Sequence, residues 1–340
     1  MRLIPSFTGS NTPAPRLPKK FVQTSYGRIA YLERGKAGTP PILFVHGIPT
    51  SSYLWRSVID ALSDRFHCYA PDLMGLGDTE VDVPNTPFNM GSQAENLAEF
   101  MSALGHEKFA LVCHDQGGAA AQVLVARHPE RITAFCITNC VCYDNWPVPL
   151  IAATQKMAKV PFLSDAVSRS GIGLKLQTHP KLSQFRRGVY KGENLTDESI
   201  VEYLRPTLTK DGSARFRAFL LAGDSKYSQD AVAGLRKFNK PTHVIWATDD
   251  RFLSVGWGER LMNDIPGAKS MEIVPFCGHF WQEERPTEFA EKMGTFFEKV
   301  LLKPAAKPTP ASKKNAAGKK RPAAKKKQAK ATRKRARARA

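Results

Sequence analysis

The apolar positions of the chain alternate between short continuous runs and stripes in which they recur every three or four residues. The runs have the length of buried strands and lie at residues 28–34, 41–45, 66–71 and 241–246. The stripes have helical spacing and lie at Trp55, Val58, Ile59 and Leu62 and, ending before Gly105, at Ala94, Leu97, Met101 and Leu104. This alternation predicts an α/β fold with a mostly parallel, doubly wound sheet.

Residues 143–234 interrupt this alternation with helix-like pieces that proline and glycine separate. One piece opens at residues 196–199, where the acids Asp197 and Glu198 suit the positive end of a helix. We predict a helical lid inserted after the sixth strand, which shapes a pocket and excludes water from it.

The run at residues 111–119 reads LVCHDQGGA and places Asp115 at the turn between a strand and a helix. Such a turn is too tight for large residues two positions before and after its central residue, and Cys113 and Gly117 meet this requirement. A carboxylate at the turn favours attack on an sp³ carbon, with expulsion of a halide or opening of an epoxide, and the ester that forms must then be hydrolysed. Asp115 therefore argues against an ordinary esterase.

Two further residues complete a catalytic triad in the order nucleophile, acid, histidine. Asp250 follows the strand-like run at 241–246, and His279 follows an apolar run near residue 274. A histidine that activates water needs a carboxylate to orient it, so we predict Asp115, Asp250 and His279 as the catalytic residues. Asp249 is the alternative acid.

Residues 21–300 resemble the α/β-hydrolase superfamily. Residues 46–56 (HGIPTSSYLWR) and 114–117 (HDQG) are similar to its haloalkane dehalogenase and epoxide hydrolase branch. The resemblance implies an oxyanion hole formed by the backbone N–H groups of Ile48 and Gln116. Dehalogenases of this branch hold the leaving halide with a tryptophan after the nucleophile and an asparagine after His-Gly or a lid tryptophan. Here Gln116 and Ile48 occupy the two motif positions, so we predict Gln116 and Trp146 as the leaving-group ligands.

Other reactions and a non-catalytic function remain as alternatives. Epoxide hydrolases use lid tyrosines as proton donors, and the lid region offers Tyr143, Tyr190, Tyr203 and Tyr227. Fluoroacetate dehalogenases usually carry an arginine just after the nucleophile, where this chain has Gln116, and this reading comes third. A passive scaffold with a nucleic-acid-binding tail is the alternative outside enzymology.

The positive charge of the chain is concentrated at its C-terminus. Of its 50 lysines and arginines, 16 lie in residues 303–340, which contain no acid. This Lys/Arg/Ala/Pro segment cannot build a core, so we predict a disordered tail that binds nucleic acid without sequence preference or serves only solubility. The predicted organisation is an extension (1–20), a first core part (21–142), the lid (143–234), a second core part (235–302) and the tail (303–340).

The expected partners are a small apolar organic substrate and water, with no membrane partner, because no stretch approaches the roughly 20 apolar residues of a spanning helix. The six cysteines lack paired spacing, which favours a reducing compartment and a cytoplasmic location. We expect no cofactor and no metal. The sequence leaves the oligomeric state open.

Overall fold

The computed structural model describes residues 17–302. The predicted tail at 303–340 and most of the predicted N-terminal extension lie outside these residues. The strands are β1 (Lys20–Thr24), β2 (Gly27–Arg34), β3 (Pro41–Val45), β4 (His67–Pro71), β5 (Phe109–Asp115), β6 (Ile132–Cys140), β7 (Thr242–Ala247) and β8 (Ala268–Val274).

These strands form one eight-stranded sheet in the order β1-β2-β4-β3-β5-β6-β7-β8. β1 and β2 pair antiparallel with each other, and β2 pairs antiparallel with β4. All remaining pairs are parallel. The predicted α/β fold with a mostly parallel sheet is confirmed.

The helices that precede the lid region are α1 (Arg56–Leu62), α2 (Met90–Ala103) and α3 (Gly117–Arg127). Those between β6 and β7 are α4 (Pro149–Ala158), α5 (Pro161–Arg169), α6 (Ile172–Thr178), α7 (Gln184–Arg187), α8 (Asp197–Leu204), α9 (Lys210–Ala222) and α10 (Lys226–Leu235). The last three are α11 (Val255–Asp264), α12 (Trp281–Glu284) and α13 (Pro286–Phe297).

The central strands of the sheet are the apolar runs of the sequence because helices cover both of their faces. Every residue of β4 and β5 is buried, and so are all but one residue of β3 and of β6. One face of the sheet packs on α2 and α3, and the other on α1 and α13. The C-terminal ends of β5, β6 and β7 consequently meet at one buried edge of the sheet.

The chain between β6 and β7 is helical, as the sequence predicts for the lid. Thr196 caps α8, since its side chain accepts a hydrogen bond from the backbone N–H of Ser199. The last helix of the segment, α10, packs against core helix α3, and a β-carbon on Gly234 would stand 2.5 Å from the Ala126 side chain. α10 thus packs on the core although it lies within the predicted lid range of 143–234. The boundary at residue 234 stays a prediction.

Within the described part of the chain, no helix combines the length and the apolar composition that a bilayer span requires.

Candidate active site

Asp115 is the last residue of β5 and is held in a left-handed backbone conformation with φ of 51°. This sharp turn directs a buried carboxylate toward the lid before α3 begins at Gly117. A β-carbon on Gly117 would stand 2.1 Å from the carbonyl oxygen of His46, so only glycine fits two positions after Asp115. The turn has the geometry that the sequence predicts for a nucleophile elbow.

The loop after β3 brings a backbone donor to the Asp115 carboxylate. The N–H of Ile48 donates a hydrogen bond of 2.6 Å to Asp115 Oδ1. A β-carbon on Gly47 would stand 2.1 Å from that oxygen and 2.5 Å from the backbone nitrogen of Gln116. The two predicted oxyanion-hole nitrogens therefore lie beside the same carboxylate, and Ile48 donates to it.

His279 lies between the two predicted carboxylates. Its Nε2 is 3.3 Å from Asp115 Oδ2, and its Nδ1 is 2.8 Å from Asp250 Oδ2. The alternative acid, Asp249, instead accepts a hydrogen bond from the side chain of Thr248. The structure thus brings Asp115, His279 and Asp250 together, and Asp249 lies outside this chain of contacts.

The charges around His279 determine its protonation. Burial alone would lower the pKa of His279, but the charge of Asp250 and the hydrogen bonds with Asp115 and Asp250 raise that pKa to about 10. Burial alone would raise the pKa of Asp250, but the charge and hydrogen bond of His279 and the backbone N–H groups of Leu253 and Phe252 lower it. The raised pKa therefore keeps a proton on His279 at neutral pH in the free protein.

Asn139, at the end of β6, is a site residue that the sequence analysis missed. Its amide Nδ2 donates to Asp250 Oδ2 at 2.8 Å, and its Oδ1 accepts from the backbone N–H of Ala247. Asn139 has φ of 35°, a conformation that asparagine tolerates better than most residues. Its position at the C-terminal end of a parallel strand is the one sequence signal for it.

Two further histidines brace these loops. His46 Nε2 accepts a hydrogen bond from the backbone N–H of Leu73, and burial lowers the pKa of His46 to about 4. His114 Nε2 lies 2.8 Å from the backbone oxygen of His279, and burial and the nearby charge of His279 lower the pKa of His114 to about 3. Both are neutral structural residues at neutral pH.

A cavity of about 340 Å³ lies between the sheet edge and the lid, near the lower end of the usual range of roughly 300–1,000 Å³ for small-molecule sites. Asp115 and His279 line its floor, and most of the remaining lining is aliphatic or aromatic. Such a cavity suits a small apolar molecule placed against the carboxylate.

Two buried N–H donors lie beside this floor without a partner. The side-chain amide of Gln116 and the indole Nε1 of Trp146 form no hydrogen bond within residues 17–302. Both approach Gly223 of the lid, where a β-carbon would stand 2.6 Å from Gln116 Nε2 and 2.8 Å from Trp146 Nε1. Trp146 lines the cavity, whereas Gln116 lies behind the lining residues. Sequence analysis missed Gly223, whose lack of a side chain lets both donors approach its backbone.

Two of the four tyrosines of the lid region form hydrogen bonds away from the cavity. The Tyr203 hydroxyl donates to Glu283, and the Tyr143 hydroxyl donates to Asp264. All eight tyrosines of the chain lie within the described residues, and none of them lines the cavity. The tyrosine proton donors that an epoxide hydrolase would need are not in place in this conformation.

Comparisons with known proteins agree with this fold. A family model described as the alpha/beta hydrolase fold matches residues 40–286, so the chain belongs to the α/β-hydrolase family. Similar proteins include the soluble epoxide hydrolase of Corynebacterium sp. (strain C12), 28% identical over 274 residues that cover 76% of this chain and 90% of that protein. Haloalkane dehalogenase 2 of Mycobacterium bovis is 27% identical over 293 residues, which cover 82% and 96%.

A solved structure of a relative establishes the fold alone. The haloalkane dehalogenase DbeA from Bradyrhizobium elkani superposes with a TM-score of 0.68 at 21% identity, covering 83% of this chain and 97% of that one. The resemblance predicted from the motifs is confirmed, since the chain is an α/β-fold hydrolase whose relatives include haloalkane dehalogenases and epoxide hydrolases.

Proposed function

We propose that this hydrolase cleaves carbon–halogen bonds of small apolar substrates through an ester on Asp115. The observation that carries the proposal is the pair of unpartnered donors, Gln116 Nε2 and Trp146 Nε1, which lie near each other beside Gly223. Buried donors normally have partners, and a halide ion leaving the substrate would supply one.

The first step is displacement at carbon. Asp115 Oδ1 is held by the N–H of Ile48, so Oδ2 is the oxygen that attacks. A bond forms between Oδ2 and the substrate carbon while the carbon–halogen bond breaks, and the halide leaves with the bonding electrons toward Gln116 and Trp146. This step needs no base, because the carboxylate is already the nucleophile.

The second step hydrolyses the ester. Alkylation removes the negative charge of Asp115, and with it one of the two carboxylates that raise the pKa of His279. The lowered pKa lets His279 release its Nε2 proton to solvent. Neutral His279 then accepts a proton from water, and the hydroxide attacks the Asp115 carboxyl carbon. The N–H groups of Ile48 and Gln116 stabilise the oxyanion at Oδ1. Collapse breaks the bond between Oδ2 and that carbon, and the alcohol leaves with the proton from His279.

Epoxide opening is the second candidate and would use the same ester. It requires a proton donor for the departing alkoxide, and the absence of tyrosine from the cavity lining makes it the weaker proposal. Fluoroacetate hydrolysis stays third, since Gln116 is uncharged and no lysine or arginine lines the cavity to bind a substrate carboxylate.

The location and the non-catalytic alternative also remain proposals. We infer a cytoplasmic location from the six cysteines, all of which are buried and unpaired. The proximity of Asp115, His279 and Asp250 supports an enzyme over a passive scaffold.

Purified protein should be tested against short halogenated alkanes, epoxides and activated esters, with halide release, diol formation and acid release as the separate readouts. We expect halide release. In single-turnover experiments, Gln116→Ala should slow alkylation by about 10² to 10³ and leave ester hydrolysis less affected. Diol formation without halide release would contradict the dehalogenase assignment.

A further inference from the structure

The lid carries a concentrated apolar surface, which we call the lid face and define as residues 150–182. Eight of the fourteen exposed large apolar side chains of the described chain lie in this short segment. Six of them lie on three consecutive helices, Leu150 and Met157 on α4, Phe162 and Leu163 on α5, and Ile172 and Leu176 on α6. Because α5 packs against both α4 and α6, the three helices that carry these side chains are neighbours. Such a patch on a folded domain indicates an interaction site.

The same face is basic. Five exposed cations lie among its apolar side chains, and within residues 17–302 none of them forms an ion pair; they are Lys156, Lys159, Arg169, Lys175 and Lys181. The one acid of the segment, Asp165, is paired with Arg217. Exposed apolar side chains among uncompensated cations are typical of surfaces that lie on anionic lipid.

The positive charge of the lid face argues against two other partners, which are a second copy of this chain and the chain's own terminal segments. A second copy of the lid face carries the same positive charge and would repel the first. Residues 1–16 and 303–340 contain basic residues and no acid, so neither segment complements the face. An anionic surface from outside the chain is the complementary partner.

The lid face is continuous with the cavity. Leu150, Met157 and Leu176 are exposed and also line the cavity that contains Asp115. The cavity therefore reaches the surface within the lid face, and a molecule dissolved in a lipid layer would meet an apolar path inward.

We propose that the lid face docks peripherally on anionic lipid surfaces, with Phe162 inserted at the boundary of the acyl chains. Phe162 is the most protruding apolar side chain of the face, with 83% of its surface exposed. The expectation of no membrane partner concerned spanning helices, whereas this contact is peripheral. Docking does not depend on the reaction assigned to the site, so the two proposals succeed or fail separately.

The test places a reporter on the lid face of the full chain. Phe162→Trp, and as matched control Ile273→Trp on edge strand β8, are mixed with vesicles of phosphatidylcholine and phosphatidylserine whose acyl chains are brominated. Ile273 is also exposed, but it lies outside the lid face. We expect the fluorescence added at position 162, and not that at 273, to be quenched, and the quenching to be lost with pure phosphatidylcholine. The tail does not confound this readout, which reports contact of one side chain.

A second pair of variants measures the contribution of the face to binding. Phe162→Glu should weaken vesicle binding by at least about tenfold, since it removes a large apolar side chain from the contact, whereas Ile273→Glu makes the same change of charge and should have little effect. Binding without quenching at position 162 would mean that the tail alone holds the vesicle, and would overturn the proposal. Dimerisation that Phe162→Glu abolishes would assign the face to a second copy and overturn it as well.

Discussion

The two sides of the cavity floor differ in how completely their polar groups are paired. On the side of the triad, the Asp250 carboxylate contacts His279, Asn139 and two backbone N–H groups, and the N–H of Ile48 holds Asp115. On the side of the leaving group, the amide of Gln116 and the indole N–H of Trp146 have no partner among the described residues.

This difference separates what is positioned in advance from what awaits a ligand. Paired carboxylates keep His279 in one orientation without substrate, which reduces the reorganisation needed during reaction. Unpaired buried donors are costly in the free protein, and an anion that binds them would recover that cost. The triad side should therefore tolerate little change, and the leaving-group side should respond to the nature of the leaving group.

Removing the nucleophile should have the largest effect. Asp115→Asn keeps the size of the side chain and a residue type that accepts the left-handed backbone, but a carboxamide cannot displace a halide. We expect freshly purified variant to lose at least about 10⁴-fold in kcat/KM, with no halide released in the first turnover. Asp249→Ala is the matched control and should retain turnover, because Asp249 lies outside the triad contacts. Normal halide release by Asp115→Asn would exclude the mechanism.

Placing a methyl group against the two donors should have the next largest effect. Gly223→Ala would place a methyl group within 3 Å of Gln116 Nε2 and Trp146 Nε1, and the backbone at Gly223 has φ of −68°, which alanine adopts readily. We expect a loss of about 10² to 10³ in the alkylation rate, comparable with removal of one donor.

Gly173→Ala is the control for this variant. Gly173 also lines the cavity, but a β-carbon there meets nothing within 4 Å. If both alanine variants slow alkylation equally, the leaving group binds elsewhere.

Loosening the triad side at Asn139 should have a smaller effect. Asn139→Gly removes the amide donor while glycine keeps the left-handed backbone without strain. A hydrogen bond to a charged group contributes about 1.5–3 kcal/mol, so hydrolysis of the ester should slow by roughly ten- to a hundredfold. Loss of a donor to the carboxylate also raises the pKa of Asp250. The acidic limb of the pH profile should therefore move to higher pH, and an unmoved limb would restrict Asn139 to a packing role.

The smallest effect on turnover is expected from the tail. Deleting residues 303–340 removes 16 basic residues that lie outside the catalytic part of the sequence, so kcat/KM should stay unchanged. The same deletion should abolish salt-sensitive binding to DNA of unrelated sequences, because that attraction depends on counterion release. Retention of the same DNA affinity at moderate salt would locate the binding on the folded part.

The sequence predicted the centre of the fold better than its edges. β3 was predicted with its observed bounds, and β4 and β7 within one residue, because both of their faces are buried and their apolar runs are continuous. The edge strands β1 and β8 were not predicted. They mix exposed and buried positions, so neither forms an apolar run.

The candidate site divides in the same way. Asp115, Asp250 and His279 could be predicted because each follows a buried strand or lies in a recognisable motif. Asn139 and Gly223 were missed because their roles depend on contacts across 111 and 107 positions of the chain, with Asp250 and Gln116. The lid face was missed because exposure of an amphipathic helix follows from what packs against it, which the pattern of one helix does not reveal.

The proposed reaction depends on an ester that forms on Asp115 and is hydrolysed with His279 as the base. His279→Phe keeps an aromatic ring among its neighbours but cannot accept a proton from water, so the first step should proceed and the second should stop. After incubation with a short bromoalkane, intact-protein mass spectrometry should show one added alkyl group, located on the peptide that contains Asp115, together with one equivalent of halide. An adduct on a serine or cysteine, or steady turnover by this variant, would contradict the account.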